Sequence, residues 1–510
     1  MARSGVSMGL AFWPRGGSAQ VVRYLVPALE RAGWTVRLHV GSLGAAGEPS
    51  HAGTFFSGID LAAADFSAAV AAGAAGEDPL DQPVPLHPSF EDRPGAPDRI
   101  FTAVSPVLQE RQVASWEQVL GADGGAAPPA LLHLHHLTPL HDAAARCRPG
   151  LPVVTHLHGT EIKMVDGLRR RTALAERLGH DLAGMARLAE AGGLPDPTAL
   201  DPTDQDLWRR TRWPAWRFGA HWDRNLTGAA RRSDRLIVAS PQDREEALRL
   251  FAVDPARVEA IPNGVDTDRF TARPLSGAPR LAQLRRWLVE DPQGWDETGA
   301  PGSDRYRDRD LAAFGDGTGP VLVFVGRFLG VKRVPLLLRA YRRARPRMHQ
   351  PAPLLIWGGH PGEWEGEHPC TVARREGAEG VFFLGWRGHD ELPVGLNCSD
   401  VLVAPSVREA FGQVYVEAMA SGLPVIATRS GGQVSFVNTD PARPNGWLVE
   451  PDDEAALADA LVAAVDDEPG RQERAANAYA QIRAGYSWNG LAGRFAALYE
   501  DVVASPPSRP

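Results

Sequence analysis

The sequence predicts an α/β protein built as two Rossmann-like halves. Strand-length apolar runs alternate with helix-period segments from Val6 to Ile261, and the alternation restarts at Val321. At 510 residues the chain is too long for one compact domain and suits two. Its 44% apolar content supplies core for both and excludes global disorder.

In the first half, Val6–Phe12 reads as a strand, Trp13–Gly17 as a loop, Ser18–Ala32 as a helix and Thr35–Val40 as the next strand. Leu131–Leu137, Val153–Leu157, Arg235–Ala239 and Val258–Ile261 are further parallel-strand candidates. Two segments, 41–130 and 163–232, exceed what a minimal nucleotide-binding fold needs. The second carries Trp208, Trp213, Trp216 and Trp222 among arginines. That pattern suits amphipathic helix packing first, and an aromatic, cationic wall for an acceptor second. Residues 271–317, rich in Pro, Gly, Asp and Arg, read as a linker or surface insertion. The second half follows with Val321–Val325, Leu354–Trp357, Val381–Leu384, Val401–Ala404, Val425–Ala427 and Trp447–Val449 as strands.

Composition narrows the function classes. The formal charge of −8 argues against a general binder of nucleic acid or anionic membrane. No run of about twenty apolar residues and no apolar leader is found, so a cytoplasmic protein without an integral membrane segment is expected. Cys147, Cys370 and Cys398 are scattered without metal-ligand spacing, which agrees with a reducing compartment. Nearly every basic residue is arginine. Lys163 and Lys332 are the two lysines, and each draws attention for that reason.

The stretch 401–432 is the most informative. A short strand leads to a loop with Glu409, then to a helix opening near Gly412 and carrying Glu417. Gly422 and Pro424 stop that helix, a strand follows, and Gly431-Gly432 turns the chain. A helix beginning at the carboxyl end of a parallel strand aims free N–H groups and its dipole at whatever binds there, which favours phosphate. Carboxylates do not attract phosphate, so Glu409 and Glu417 suit hydroxyl groups on either side of it. A nucleoside diphosphate with a sugar at one end fits that layout.

The segment EAFGQVYVE (409–417) followed by AMASGLPVIAT resembles the signature of the retaining glycosyltransferases of family four. The resemblance implies the GT-B fold, two Rossmann-like domains facing each other across a cleft. It places an acceptor-binding domain over 1–270, a last helix within 486–510 crossing back onto it, and a nucleotide-sugar domain over 318–485. It also assigns roles. Arg327 and Lys332, just after Gly326, resemble the pair that binds the diphosphate, and Glu409 takes a donor-sugar hydroxyl. Ala410, Phe411 and Gly412 present backbone N–H groups, and Glu417 binds the ribose. VFFLGWRGHDEL puts Trp386 and Arg387 near the base. His158 in HGT resembles the histidine that contacts the transferred sugar, with His156 as the competitor. Gly16-Gly17-Ser18 resembles the glycine-rich loop near donor phosphate and acceptor, although a plain tight turn reads the same.

Breaking the bond between anomeric carbon and phosphate builds negative charge on the diphosphate, which fixed cations and N–H dipoles stabilise. Arg327 and Lys332 supply those cations, so neither a metal nor another cofactor is expected. His133, His135 and His136 are spelled like a zinc cluster, but a strand sends alternate residues to opposite faces and no carboxylate or cysteine is near. Asp266-Thr267-Asp268 has the spelling of a metal-binding pair, but it falls in the domain-exit segment IPNGVDTDRF.

The expected activity is metal-independent, front-face transfer from a nucleotide-diphosphate sugar, a UDP-sugar first and GDP-mannose second, to a small polar molecule or glycan. The alternatives are a phosphorylase or epimerase on the same fold, or a non-catalytic nucleotide-sugar binder.

Overall fold

The computed structural model describes residues 5–93, 96–122 and 128–504. Residues 1–4 of the expected first domain and 505–510 of the expected returning segment lie outside them. The chain forms two compact units, Met1–Pro262 with Ala492–Pro510, and Asn263–Leu491.

The first unit holds a seven-stranded parallel sheet of β1 (Gly5–Leu10), β2 (Thr35–Ser42), β3 (Leu61–Asp65), β4 (Pro129–His135), β5 (Val153–His156), β6 (Arg235–Val238) and β7 (Val258–Ala260). Their order is β3-β2-β1-β4-β5-β6-β7. β1, β2 and β4 are buried along most of their length, on both faces, because helices cover both faces of such a sheet. β3 was not among the sequence candidates. Its LAAAD is alanine-rich and half-exposed, so it carries little β-propensity, and pairing with β2 makes it an edge strand.

Both long segments of this half belong to its core. In 41–130, the helix Pro106–Gly121, capped by the Ser105 hydroxyl, buries Trp116 and Leu120 beside Trp13, Phe66 and Leu132. In 163–232, Trp213, Trp216 and Trp222 are buried in one apolar cluster, with Trp208 packed partly buried against it. The Trp222 indole N–H donates to the Val104 carbonyl at 2.8 Å. Core packing, rather than an exposed aromatic wall, accounts for these side chains.

The second unit holds a six-stranded parallel sheet of β8 (Leu322–Gly326), β9 (Leu354–Gly358), β10 (Val381–Gly385), β11 (Val401–Ala404), β12 (Val425–Thr428) and β13 (Gly446–Val449), in the order β10-β9-β8-β11-β12-β13. Residues 271–317 are built into this unit. Trp287 and Trp295 are fully buried, and the Tyr306 hydroxyl accepts the β10 edge N–H of Phe383 at 2.9 Å. Composition suggested a linker because apolar residues there are few. Two tryptophans and buried Arg280, which donates to the carbonyls of Leu275 and Gly319 and pairs with Asp400, suffice to anchor it.

In each sheet the strand order reverses at one seam, β1/β4 in the first and β8/β11 in the second. Loops leaving the carboxyl ends of two such strands diverge to opposite sides and leave a crevice, the usual ligand site of open α/β sheets.

Burial of histidine in the first unit gives a pH prediction. Burial pushes His87 down to about 3, with the Arg15 charge adding to it, and pushes His39 and His141 down to about 4. Each is neutral in the folded protein, while the unfolded chain takes up protons below about 6.5. The unfolded state then binds more protons, so stability is lost as pH falls from about 6.5 towards 4, each histidine adding about 1.4 kcal/mol per pH unit. Melting temperature is expected to drop steeply between pH 7 and pH 5. A flat profile over that range would overturn the assignment.

Candidate functional site

In the second unit the two loops at the seam meet. After β8, Arg327 is exposed, and a single turn at Gly330–Lys332 leads into the helix Val334–Ala344. After β11, Arg408 takes a left-handed backbone (φ 58°) that aims the following residue, a conformation costing about 1–3 kcal/mol for a non-glycine residue. The loops are laced by the Val407 N–H donating to the Val331 carbonyl at 2.8 Å. Across that lace the Lys332 ammonium pairs with the Glu409 carboxylate, both side chains mostly buried.

Gly431 and Gly432 hold the Glu409 loop from behind. The Gly432 N–H donates to the Glu409 carbonyl at 2.8 Å, and a β-carbon at Gly432 would overlap the Ala410 carbonyl. Gly412 (φ 87°) then opens the helix Gln413–Ala420, and no side chain caps it. Its first turn carries the positive end of the helix dipole, and of its N–H groups that of Tyr415 donates to the Gly412 carbonyl at 3.0 Å. Phe411 is buried against Phe436, which fixes the loop's apolar side.

Glu417 is buried one turn into that helix, and its carboxylate meets the His389 ring at 2.9 Å. Trp386 is about half exposed, near His360. Arg387 is buried: its guanidinium donates to the carbonyls of Leu384 and Trp287 and pairs with Asp291 at 3.1 Å. Desolvation lowers its pKa even with that partner. Arg387 therefore ties residues 286–291 to β10, a structural engagement that sequence spacing could not reveal.

In the first unit, Gly16 (φ 70°) starts the helix Gly16–Arg31, again without a side-chain cap. Arg15 lies over the Trp13 ring at 4.1 Å and pairs with Asp98, whose fully buried carboxylate also takes Arg93. Nothing in the sequence flagged Asp98, because its two partners lie 83 and 5 residues away.

His158 follows β5, partly exposed, and Gly159 (φ 83°) turns the chain into the helix Thr160–Arg177. Its backbone N–H donates to Glu161 at 2.9 Å, and its Nε2 lies 2.9 Å from Nδ1 of His135. Its ring stacks on His156 at 4.5 Å. Burial holds its pKa well below the ordinary histidine value, reinforced by the neighbouring histidines. His156, the competing candidate, is fully buried beneath it. Burial alone would raise Glu161, but His136 and the backbone N–H groups of His158 and Glu161 bring it below the ordinary carboxyl value. Asp266 caps a turn, its Oδ1 accepting from the N–H groups of Asp268 and Arg269.

The family described as Glycosyltransferase Family 4 matches residues 15–269, and that described as Glycosyl transferases group 1 matches 309–481. The chain is a member of glycosyltransferase family 4. Relatives of this family-4 member include a D-inositol 3-phosphate glycosyltransferase of Kribbella flavida, 29% identical over 364 residues, 70% of this chain and 73% of that one. Another from Catenulispora acidiphila is 31% identical over 273 residues, 52% of this chain and 56% of that one. Over most such matches the chain spans little more than half the length of the curated relatives.

The family-4 member also shares its fold with solved GT-B structures. Sucrose-phosphate synthase of Thermosynechococcus elongatus aligns with TM-score 0.59 at 21% identity, over 99% of this chain and 100% of that one. Anabaena HepE in complex with UDP and glucose aligns with TM-score 0.58 at 16% identity, over 97% and 99%. Among the described residues, no helix is long and apolar enough to cross a membrane.

Proposed function

We propose that the protein transfers a glycosyl group from a nucleoside-diphosphate sugar to a small polar acceptor with retention of configuration, and that the step uses no metal ion. The observation that carries this reading is the Lys332–Glu409 pair at the β8/β11 seam, beside an uncapped helix start. The leaving diphosphate seats against Lys332, Arg327 and the N–H groups from Ala410 to Gly412. Cations and dipoles already in place oppose the growing charge without reorganisation, which makes them effective in a shielded site. Glu409 is held by Lys332 until a sugar hydroxyl shares it. Glu417 serves the ribose, and His389 fixes its carboxylate. Gly326, Trp386 and Arg387 shape the base end, Arg387 by holding the 286–291 turn. His158 and the Gly16-Gly17 loop belong to the sugar and acceptor side.

The acceptor oxygen attacks from the face the diphosphate leaves, and a diphosphate oxygen takes its proton. A double displacement needs a carboxylate behind the anomeric carbon, and the 409–417 segment offers none in that role. UDP-sugars are the first donor choice, supported by the UDP and UDP-glucose named for HepE, with GDP-mannose second. Relatives named for D-inositol 3-phosphate support a phosphorylated polyol as acceptor. Three free cysteines suit the reducing cytosol as the setting.

A screen of UDP, GDP and ADP sugars by thermal shift tests the reading. The true donor at about 100 times its dissociation constant is expected to stabilise the protein by about 2.7 kcal/mol. Failure of every nucleotide sugar to shift the melt would refute it. Sugar 1-phosphate released from a glycan with inorganic phosphate, and without nucleotide, would point instead to a phosphorylase.

A further inference from the structure

The first unit buries a cluster of histidines in the interior of its sheet. Strands β4 and β5 pair in parallel with His135 opposite His156, and His133 lies two residues before His135 on the same face. One nitrogen from each of these three rings lies within 4.8 Å of the others, and all three side chains are fully buried. His136, by contrast, turns away in a left-handed backbone (φ 63°) towards Glu161.

The hydrogen bonds leave a particular set of atoms over. Nδ1 of His133 meets the Tyr499 hydroxyl at 2.6 Å, and Nδ1 of His135 meets Nε2 of His158 at 2.9 Å. Nε2 of His133, Nε2 of His135 and both nitrogens of His156 are buried without a hydrogen-bond partner among the described residues. Leaving one such group unsatisfied costs about 1–3 kcal/mol. Histidines chosen only to fill a core would carry that cost several times over, where phenylalanine or leucine would not. With Nδ1–H donating to its partner, each of His133 and His135 keeps a bare, buried Nε2 lone pair.

We propose that His133, His135 and His156 bind a divalent transition-metal ion of the Zn²⁺ class. Three neutral imidazoles with neither carboxylate nor thiolate suit zinc, and Tyr499 and His158 are the outer partners that fix ring orientation. Zinc–nitrogen bonds of about 2.0–2.1 Å in a tetrahedral arrangement require nitrogens about 3.3 Å apart, so binding draws together and reorients rings whose nitrogens now lie within 4.8 Å of one another. The ion ties β4 to β5 beneath the last helix, Trp488–Ala504, which contributes Tyr499 and Phe495 to the cluster. It has a consequence for His158. Once Nε2 of His135 is committed to metal, its Nδ1 must carry the proton and donate to His158, which fixes the remaining proton of His158 on Nδ1. This role is positional, and it stands whether or not His158 meets a sugar.

The test is metal content of the full-length protein by plasma mass spectrometry, purified without chelator and again after saturation with Zn²⁺ and gel filtration. About one equivalent is expected. His156→Phe keeps a ring of similar size in the stack and is expected to lose the metal while remaining folded by circular dichroism. Tyr499→Phe keeps all three ligands and is expected to weaken Zn²⁺ affinity about 10–100-fold. Replacing zinc with Co²⁺ is expected to give the visible absorption of a tetrahedral nitrogen site. A saturated wild type holding less than about a tenth of an equivalent would overturn the proposal. So would a His156→Phe protein that holds as much metal as the wild type.

Discussion

Lys332→Ala is expected to lower turnover about 10²–10³-fold, the scale for removing one preorganised charge that stabilises a developing anion. Two effects act in the same direction. The leaving diphosphate loses an ammonium beside the helix start, and Glu409 loses the partner that holds its mostly buried carboxylate. Because the first effect is felt mainly as charge develops, kcat and kcat/KM are expected to fall together, with donor KM changing less. Initial rates over a range of donor concentrations separate these quantities. Lys332→Arg keeps the charge and is expected to recover part of the loss. Near-normal turnover in the alanine variant would remove Lys332 from the proposed chemistry and leave it as a structural pair for Glu409.

The second large effect is expected at a residue that touches no substrate. In Gly432→Ala the new β-carbon would overlap the Ala410 carbonyl oxygen and come within 2.8 Å of both the Ala410 carbonyl carbon and the Phe411 Cα. These are backbone atoms, so no side chain can swing aside. The loop from Glu409 to Phe411 must shift, and with it the carboxylate and the N–H groups before Gly412. A displacement near 1 Å at reacting groups costs about 10²-fold in rate. Turnover is expected to fall by that order while the melting temperature changes modestly, since the strain falls on a loop and leaves the strands and helices in place. The same substitution at Gly150, where a β-carbon meets nothing within 4 Å and which belongs to no proposed site, serves as the structural contrast. Unchanged kinetics in Gly432→Ala would show that the loop tolerates the shift and that its position does not set the rate.

Much of the β8/β11 seam was legible in the sequence because its information is local. Strand, loop, helix start, helix stop and turn follow one another from Val401 to Gly432, each set by residue type at a fixed offset, and the structure reproduces them. Arg327 and Lys332 are local to the end of β8 in the same way. Arg387 shows where that kind of reading stops. The resemblance of the segment around it implied a place near the base; what holds it in place, a carboxylate and two carbonyls, two of the three about a hundred positions earlier, lay beyond that reading.

By itself, then, the sequence determined the strand–helix alternation of both halves and the residues at the β8/β11 seam, because backbone propensity and turn chemistry act over a few neighbours. Only the tertiary structure decided what depends on which strands lie side by side. It put β3 at an edge, folded Trp287 and Trp295 into the second unit, and packed Trp213, Trp216 and Trp222 into core. It also replaced the apparent trio His133, His135 and His136 with His133, His135 and His156. The parallel register that sets His135 opposite His156 spans a crossover of some twenty residues, and hydrogen bonding between strands, not sequence proximity, selects that neighbour.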